Sequence, residues 1–175
     1  FLQGGWVDVG FLSGAQVDRY GNLNTTCIGP YESPRSRLPG SGGANPIGAL
    51  ARRTLIIVQH DPRRLAEKVD FITTPGYLNG PGARERWGLP PATGPWVIIT
   101  NKGILRFDAE TKEAYLESCH PGCTVEEIRK NTGWDLKISP EVHETEPPRA
   151  AELKAIREVL DPHRMIRVYE GKGYV

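Results

Sequence analysis

Thr54-Leu55-Ile56-Ile57-Val58 is a five-residue apolar, β-branched run. Such a run reads as a strand covered on both faces, the pattern of a parallel sheet. Trp96-Val97-Ile98-Ile99-Thr100 repeats it. Asn101-Lys102-Gly103 then links this second run to Ile104-Leu105-Arg106-Phe107, which predicts a hairpin, and Ala114–Ser118 extends it. Upstream, residues 6–12 read as a strand and Asp18-Arg19-Tyr20-Gly21-Asn22 as a turn. Val69–Thr73 is a further predicted strand. Residues 29–48 and 75–95, dense in Gly and Pro, read as long loops, a kind that is usually functional in a compact domain. Thr124 with Glu127 three residues on is a capping box; it opens a short helix to about Asn131, stopped by Gly133. Leu153, Ile156, Val159 and Leu160 lie at helical spacing, so 148–160 reads as an amphipathic helix ending near Pro162. Strands interleaved with short helices predict an α/β layered fold with a largely parallel sheet.

The bulk numbers agree. The chain has 175 residues, a net charge of +1 and 38% hydrophobic residues, as expected of one globular domain. Its 20 glycines and 15 prolines make a fifth of the chain, against a usual ~12%, which indicates many tight turns. Near-neutral charge gives no broad case for nucleic acid or an anionic membrane as partner. No apolar run reaches the ~20 residues that span a bilayer, and no secretion signal opens the chain. Three cysteines do not make a paired disulfide framework, so a reduced, cytoplasmic setting is expected. Cys119-His120-Pro121-Gly122-Cys123 offers zinc-ligand types but no fourth ligand; no metal site is assigned, and a buried turn is the plainer reading. Asn24-Thr25-Thr26 is a sequon without a secretory context.

The stretch richest in chemistry is Gly40-Ser41-Gly42-Gly43-Ala44-Asn45-Pro46. Three glycines in four residues let backbone N–H groups converge, as a phosphate or an oxyanion requires. It is no P-loop, lacking Gly-Lys-[Ser/Thr], and no dinucleotide fingerprint, having Asn45 where Gly is needed. Taken alone, it fits a structural turn as well as a site. His60 with Asp61 after the first apolar run would suit a strand-end site, but no Gly-x-Ser-x-Gly accompanies them. Glu67 and Glu85 sit among Arg and Lys and read as solvated ion-pair partners, and Glu32 lies in a loop.

Gly4-Gly5-Trp6-Val7-Asp8-Val9, the Gln16-Val17-Asp18-Arg19-Tyr20-Gly21-Asn22 turn and the glycine loop together resemble the β subunit of family I CoA-transferases, in particular the glutaconate CoA-transferase β-like group. Lys68–Thr73, Ile98–Phe107 and Leu116–Ser118 with His120-Pro121-Gly122 extend the resemblance along nearly the whole chain. It implies a three-layer α/β fold, an open, mostly parallel, Rossmann-like sheet flanked by helices, with a small β-hairpin excursion. It also implies that a Glu carboxylate attacks an acyl-CoA thioester and that CoA passes to a second acid through a glutamyl-CoA thioester.

In that scheme the backbone N–H of Gly43 is the oxyanion donor. Gly40, Ser41, Gly42, Ala44 and Asn45 shape the CoA and substrate loop. Gln16 either lines the pocket or is a buried hydrogen-bonding residue. Coenzyme A enters as acyl-CoA substrate with no permanent cofactor, and an α subunit of related fold completes an α2β2 or larger assembly. Arg63, Arg64, Arg84 and Arg86 could meet CoA phosphates, but solvation is the default for surface arginines. Two departures stand out. Pro46 replaces a common Asp, and the family's nucleophilic Glu lies upstream of the Gly4-Gly5 segment, beyond Phe1. The chain is therefore expected to be most of a single domain, short of its N-terminal portion. A ring-opening hydrolase subunit acting on a CoA thioester, or a scaffolding subunit, are the alternative readings.

Overall fold

The computed structural model describes residues 1–163, which divide into two compact units, Phe1–Thr145 and residues 146–163. The first unit runs β1 (Val9–Leu12), β2 (Gln16–Val17), β3 (Leu23–Asn24), β4 (Cys27–Ile28), β5 (Ser36–Arg37), α1 (Ala44–Leu50) and β6 (Arg53–Ile57). It continues through α2 (Ala83–Arg86), β7 (Pro95–Ile99), β8 (Gly103–Phe107), β9 (Ala114–Cys119), α3 (Val125–Lys130) and β10 (Lys137–Glu144). Its main sheet has the order β1-β6-β7-β8-β9-β10. β1–β6, β6–β7 and β9–β10 pair in parallel, while β7–β8 and β8–β9 are antiparallel. The expected α/β class with a mostly parallel sheet holds, and the predicted hairpin at Asn101–Gly103 is its antiparallel part. Two small ribbons, β2–β3 and β4–β5, stand off the sheet.

The core is built from Val17, Leu23, Ile56, Leu65, Ile98, Leu105, Leu116 and Ile128, all fully buried. Helix α1 covers one face of β1 and β6. Gly10 makes this possible: a Cβ there would sit 2.3 Å from Ile47 Cγ2 and 3.4 Å from the Ala51 methyl, while Gly48 faces the Leu12 side chain. The chain leaving α1 meets the start of β1, Arg52 N donating to Val7 O (3.2 Å) and Arg53 N to Asp8 O (2.9 Å), so the C-terminal end of α1 lies at the start of β1 and the helix runs antiparallel to it. Its N-terminus lies at the carboxyl ends of the parallel strands, where α/β sheets gather ligands.

Several expectations are corrected. The run 54–58 is not covered on both faces: Ile56 is buried, but Ile57 is 49% exposed, and Phe11 of β1, which pairs with Leu55 on the same face, is 64% exposed. Val69–Thr73 is not a strand. Asp70 turns the chain there, its backbone N–H donating to Gln16 Oε1 (3.0 Å) and its carboxylate accepting from Gly29 N (2.8 Å). The 29–48 loop holds β5 and the start of α1, and the 75–95 loop holds α2. Strand β10, whose Ser139-Pro140 and alternating charges hide any period, is not legible in the sequence. The capping box is half formed: Thr124 Oγ1 accepts from Glu127 N (3.1 Å), but the Glu127 carboxylate pairs with Lys102.

In the second unit the predicted helix appears as α4 (Ala150–Lys154), started by Arg149 N donating to Glu152 Oε2 (2.9 Å), followed by a π-helical stretch, Ala155–Leu160. Its apolar residues Val159 and Leu160 are exposed. No helix among the described residues is long and apolar enough to cross a membrane.

Candidate active site

The glycine loop rises from the β4–β5 ribbon and ends in α1. Gly40 and Gly42 adopt positive φ of +92° and +50°, conformations that glycine takes without strain. They turn the chain so that Gly43 becomes the N-cap of α1. The loop is tied down at both sides. Leu38 N donates to Thr26 O (2.9 Å) and Gly40 N to Thr25 O (2.8 Å); Ala44 N donates to Ser41 O (2.9 Å) and Asn45 N to Ser41 Oγ (3.1 Å). Among the described residues, the N–H groups of Ser41, Gly42 and Gly43 meet no acceptor. Gly42 and Gly43 are exposed, and the first turn of α1 carries no acidic side chain to neutralise its positive end. Pro46 fits here because a first-turn residue has no intrahelical N–H bond to lose.

Asn45 is a tether: its side-chain amide donates to Thr73 O (2.9 Å). Thr73 Oγ1 in turn accepts from Thr25 N (2.9 Å) and lies 2.7 Å from Thr26 Oγ1. One residue behind, Asn24 donates to Gln16 Oε1 (2.6 Å) and to Cys27 O (2.7 Å), and Gln16 Nε2 donates to Asp70 (3.1 Å). Gln16 is 9% exposed. The geometry makes it a brace for the turn that carries the loop.

The Asp18–Asn22 turn has the same character. The Asn22 amide donates to both Asp18 oxygens (3.1 and 2.9 Å) and to Leu78 O (2.8 Å), and its Oδ1 accepts from Gly76 N (2.9 Å) and Leu78 N (3.1 Å). Burial pushes the Asp18 carboxyl above the usual carboxylate range.

The other end of α1 is held by a residue that sequence reasoning placed at the surface. Arg84 is 2% exposed. Its Nη2 donates to Gly48 O (3.2 Å), Ala49 O (3.1 Å) and Thr93 Oγ1 (2.8 Å), and its Nη1 to Pro75 O (3.2 Å) and Gly76 O (2.9 Å). A guanidinium on the last helical carbonyls complements the helix dipole. Nothing in Arg84-Glu85-Arg86 signals this, since single arginines are usually solvated. Thr73, by contrast, lies in the Lys68–Thr73 segment that resembles the family.

Other sequence candidates do not converge on the loop. His60 is buried; Nδ1 is 3.1 Å from Thr100 Oγ1, and Nε2 is 3.0 Å from Thr132 Oγ1 and 3.2 Å from Ile128 O. Asp61 instead accepts from the Arg63 and Arg64 backbone amides, so no His–Asp pair forms. Burial holds the His60 imidazole below the usual histidine range. Acidification below about pH 6.5 therefore protonates the unfolded chain first, and stability falls as pH drops. In urea denaturation at pH 7 and 5.5, His60→Gln is expected to lose less stability on acidification than the parent; an equal loss would remove His60 as the cause.

His120 bridges Thr145 Oγ1 and Thr100 O (both 2.9 Å), which makes the Cys119–Cys123 segment a pinned turn. Glu67 lies 3.9 Å from Arg19 and is mostly exposed. Ile72, next to Thr73, lines a groove of about 730 Å³ with Val69, Leu78 and Trp87, the last 78% exposed.

The coenzyme A transferase family model matches residues 1–131. The chain belongs to this family. The β subunit of glutaconate CoA-transferase from Acidaminococcus fermentans is 48% identical over 154 residues, covering 88% of this chain and 57% of that protein. The β subunit of 3-oxoadipate CoA-transferase from Pseudomonas knackmussii is 46% identical over 157 residues, covering 90% and 60%. The crystal structure of the A. fermentans glutaconate CoA-transferase superposes with a TM-score of 0.84 at 46% identity, over 90% of this chain and 60% of that one. The chain thus spans a little under two thirds of the length of these relatives.

Proposed function

We propose that the chain is part of the β subunit of a CoA-transferase, which moves CoA from an acyl-CoA thioester to a carboxylic acid. The observation that carries this reading is the braced glycine loop, with three unpartnered amides, in a chain of this family. A Glu carboxylate, supplied from outside residues 1–175, attacks the thioester carbonyl; the C–S bond breaks and gives a mixed anhydride and CoA thiolate. The thiolate then attacks the glutamyl carbonyl of the anhydride, releasing the first acid and leaving glutamyl-CoA. A second carboxylate takes the CoA by the reverse steps. Each attack places a negative charge on a carbonyl oxygen.

Gly43 N–H is the donor for that oxygen, worth about 3–4 kcal/mol in the transition state. Gly42 and Ala44 set its direction, and Gln16 acts through the turn behind. An α subunit of related fold supplies the other wall of the active site, in an α2β2 or larger cytoplasmic assembly. Because the two relatives are named for glutaconate and 3-oxoadipate, a dicarboxylyl-CoA is the substrate class to test first.

The test combines full-length protein and its α partner with glutaconyl-CoA and acetate. Acetyl-CoA should form, and borohydride should trap a glutamyl thioester on the protein. Consumption of acyl-CoA without transfer to acetate would sink the transferase reading and favour a hydrolase; complete inertness would favour a scaffolding role.

A further inference from the structure

A second concave site lies at the opposite end of α1 from the glycine loop. β6 begins at Arg53 and β7 at Pro95, and these strands are parallel, so both start at the same end of the sheet. Between them opens a cavity of about 230 Å³. Four cations line it (Arg52, Arg53, Arg84 and Lys112), against one carboxylate, Glu85. Such an excess of one sign in a concave wall focuses the field and attracts the opposite charge.

The buried member of this set lacks a counter-charge. The five hydrogen bonds of Arg84 all go to neutral oxygens, and among the described residues no carboxylate forms an ion pair with it. A buried cation without a counter-ion is costly. Its Nε is, in addition, a buried donor with no acceptor. That atom lies 3.3 Å from the point a Cβ on Gly94 would occupy, and Gly94 also lines the cavity.

The more accessible cations have little to hold them elsewhere. Arg53 lies over the Trp96 ring at 5.0 Å and has no carboxylate partner among the described residues. Among the described residues, the Arg52 side chain pairs only with Asp8, at 3.9 Å, with both side chains mostly exposed. The Lys112 ammonium donates to Ala109 O (2.8 Å), a neutral acceptor.

We propose that this cavity is a binding site for a phosphate group, with Arg53, Arg52 and Lys112 as direct ligands and Arg84 as the fixed positive charge in its wall. Two arginine forks and an ammonium match a phosphate in geometry and charge. The volume holds one such group with a few waters, at ~30 Å³ of liquid volume each, but not a whole nucleotide. The phosphate is either a free inorganic ion or the terminal group of a larger ester that extends past Trp96, which is 41% exposed.

Titration calorimetry on the full-length protein, in the assembly it purifies as, tests the site. The probes are inorganic phosphate and adenosine 3′,5′-bisphosphate, with chloride at matched ionic strength as control. At least one phosphate probe should bind, more weakly as salt rises. Arg52→Met with Arg53→Met should weaken it by at least about tenfold, the ~1.4 kcal/mol of one charge-assisted contact. Lys112→Met, on a side chain outside the core, should weaken it severalfold and serves if the double variant fails to fold.

Preference for the bisphosphate, lost with Arg52→Met and Arg53→Met, identifies an ester, and equal binding with the same loss the free ion; bisphosphate binding that survives those variants belongs to another site and counts against the proposal. Failure of both probes to bind, or binding unchanged in the folded variants, overturns the proposal. Gly43→Val is the separating control. It should leave phosphate binding intact, so loss of CoA transfer and loss of phosphate binding are distinguishable.

Discussion

Gly43→Val is expected to abolish CoA transfer, lowering kcat/KM by at least ~10²–10³, the usual loss when one oxyanion donor is removed, while the protein stays folded. Both halves of this expectation have a geometric basis. Gly43 sits at φ −84°, ψ −2°, the negative-φ bridge region that L-residues adopt in type I turns. A Cβ there meets only Ile47 Cδ1, at 3.8 Å, an ordinary contact. The residue is therefore not glycine because the backbone demands it, unlike Gly40 and Gly42 with their positive φ. What a larger side chain takes away is the open approach to three amides that nothing else uses. Valine fills that approach; alanine fills far less of it. Steady-state kinetics on Gly43→Ala and Gly43→Val should show graded loss at nearly unchanged urea midpoints. Full activity in the valine variant would remove the loop from the mechanism.

Arg84→Met should cost roughly 3–5 kcal/mol of stability, because it leaves several buried carbonyls without donors at ~1–3 kcal/mol each. The carbonyls of Gly48 and Ala49 end α1, and those of Pro75 and Gly76 begin the 75–95 loop. One guanidinium therefore joins the helix behind the glycine loop to the longest Gly/Pro-rich segment. Arg84→Lys should recover only part of the loss: an ammonium has three donors on a point charge and does not reproduce a planar five-donor fork. Urea denaturation of the two variants is the check, and a methionine variant within about 0.5 kcal/mol of the parent, the range of an ordinary surface substitution, would show that the carbonyls find water or other donors. Activity should fall along with stability, since α1 presents the loop.

Much of this site was legible in the residues, and the limits of that legibility are physical. Gly40-Ser41-Gly42-Gly43 announces converging amides because glycine takes the positive-φ turns of Gly40 and Gly42 without strain. The runs at 54–58 and 96–100 announce central strands because β-branched apolar residues pack well on a pleated surface. Thr124 announces a helix start because its hydroxyl satisfies an orphan N–H two or three residues on. All of these are local statements, decided within a few bonds of the residue concerned.

The brace around the loop is another matter. Gln16 meets Asp70 across 54 positions, Asn45 meets Thr73 across 28, and Arg84 meets Gly48 across 36. A Gln, an Asn or an Arg carries no mark of which distant group it will reach: Gln16 reads as a pocket or buried residue and Asn45 as a loop residue without their partners, and Arg84 reads as solvated surface until the chain is folded around it. The missing strand at Val69–Thr73 has the same cause: its apolar residues suit a sheet, but the hydrogen bonds of Asp70 to Gln16 and Gly29 outweigh that preference. The run Thr54–Val58 by itself determined a central strand in a parallel sheet. Which of its faces is covered, and that its first neighbour Arg53 turns toward Trp96 and a cation-lined cavity, depended on how the helix and the loops close over it. Burial and counter-charge are properties of the assembled neighbourhood, not of the segment.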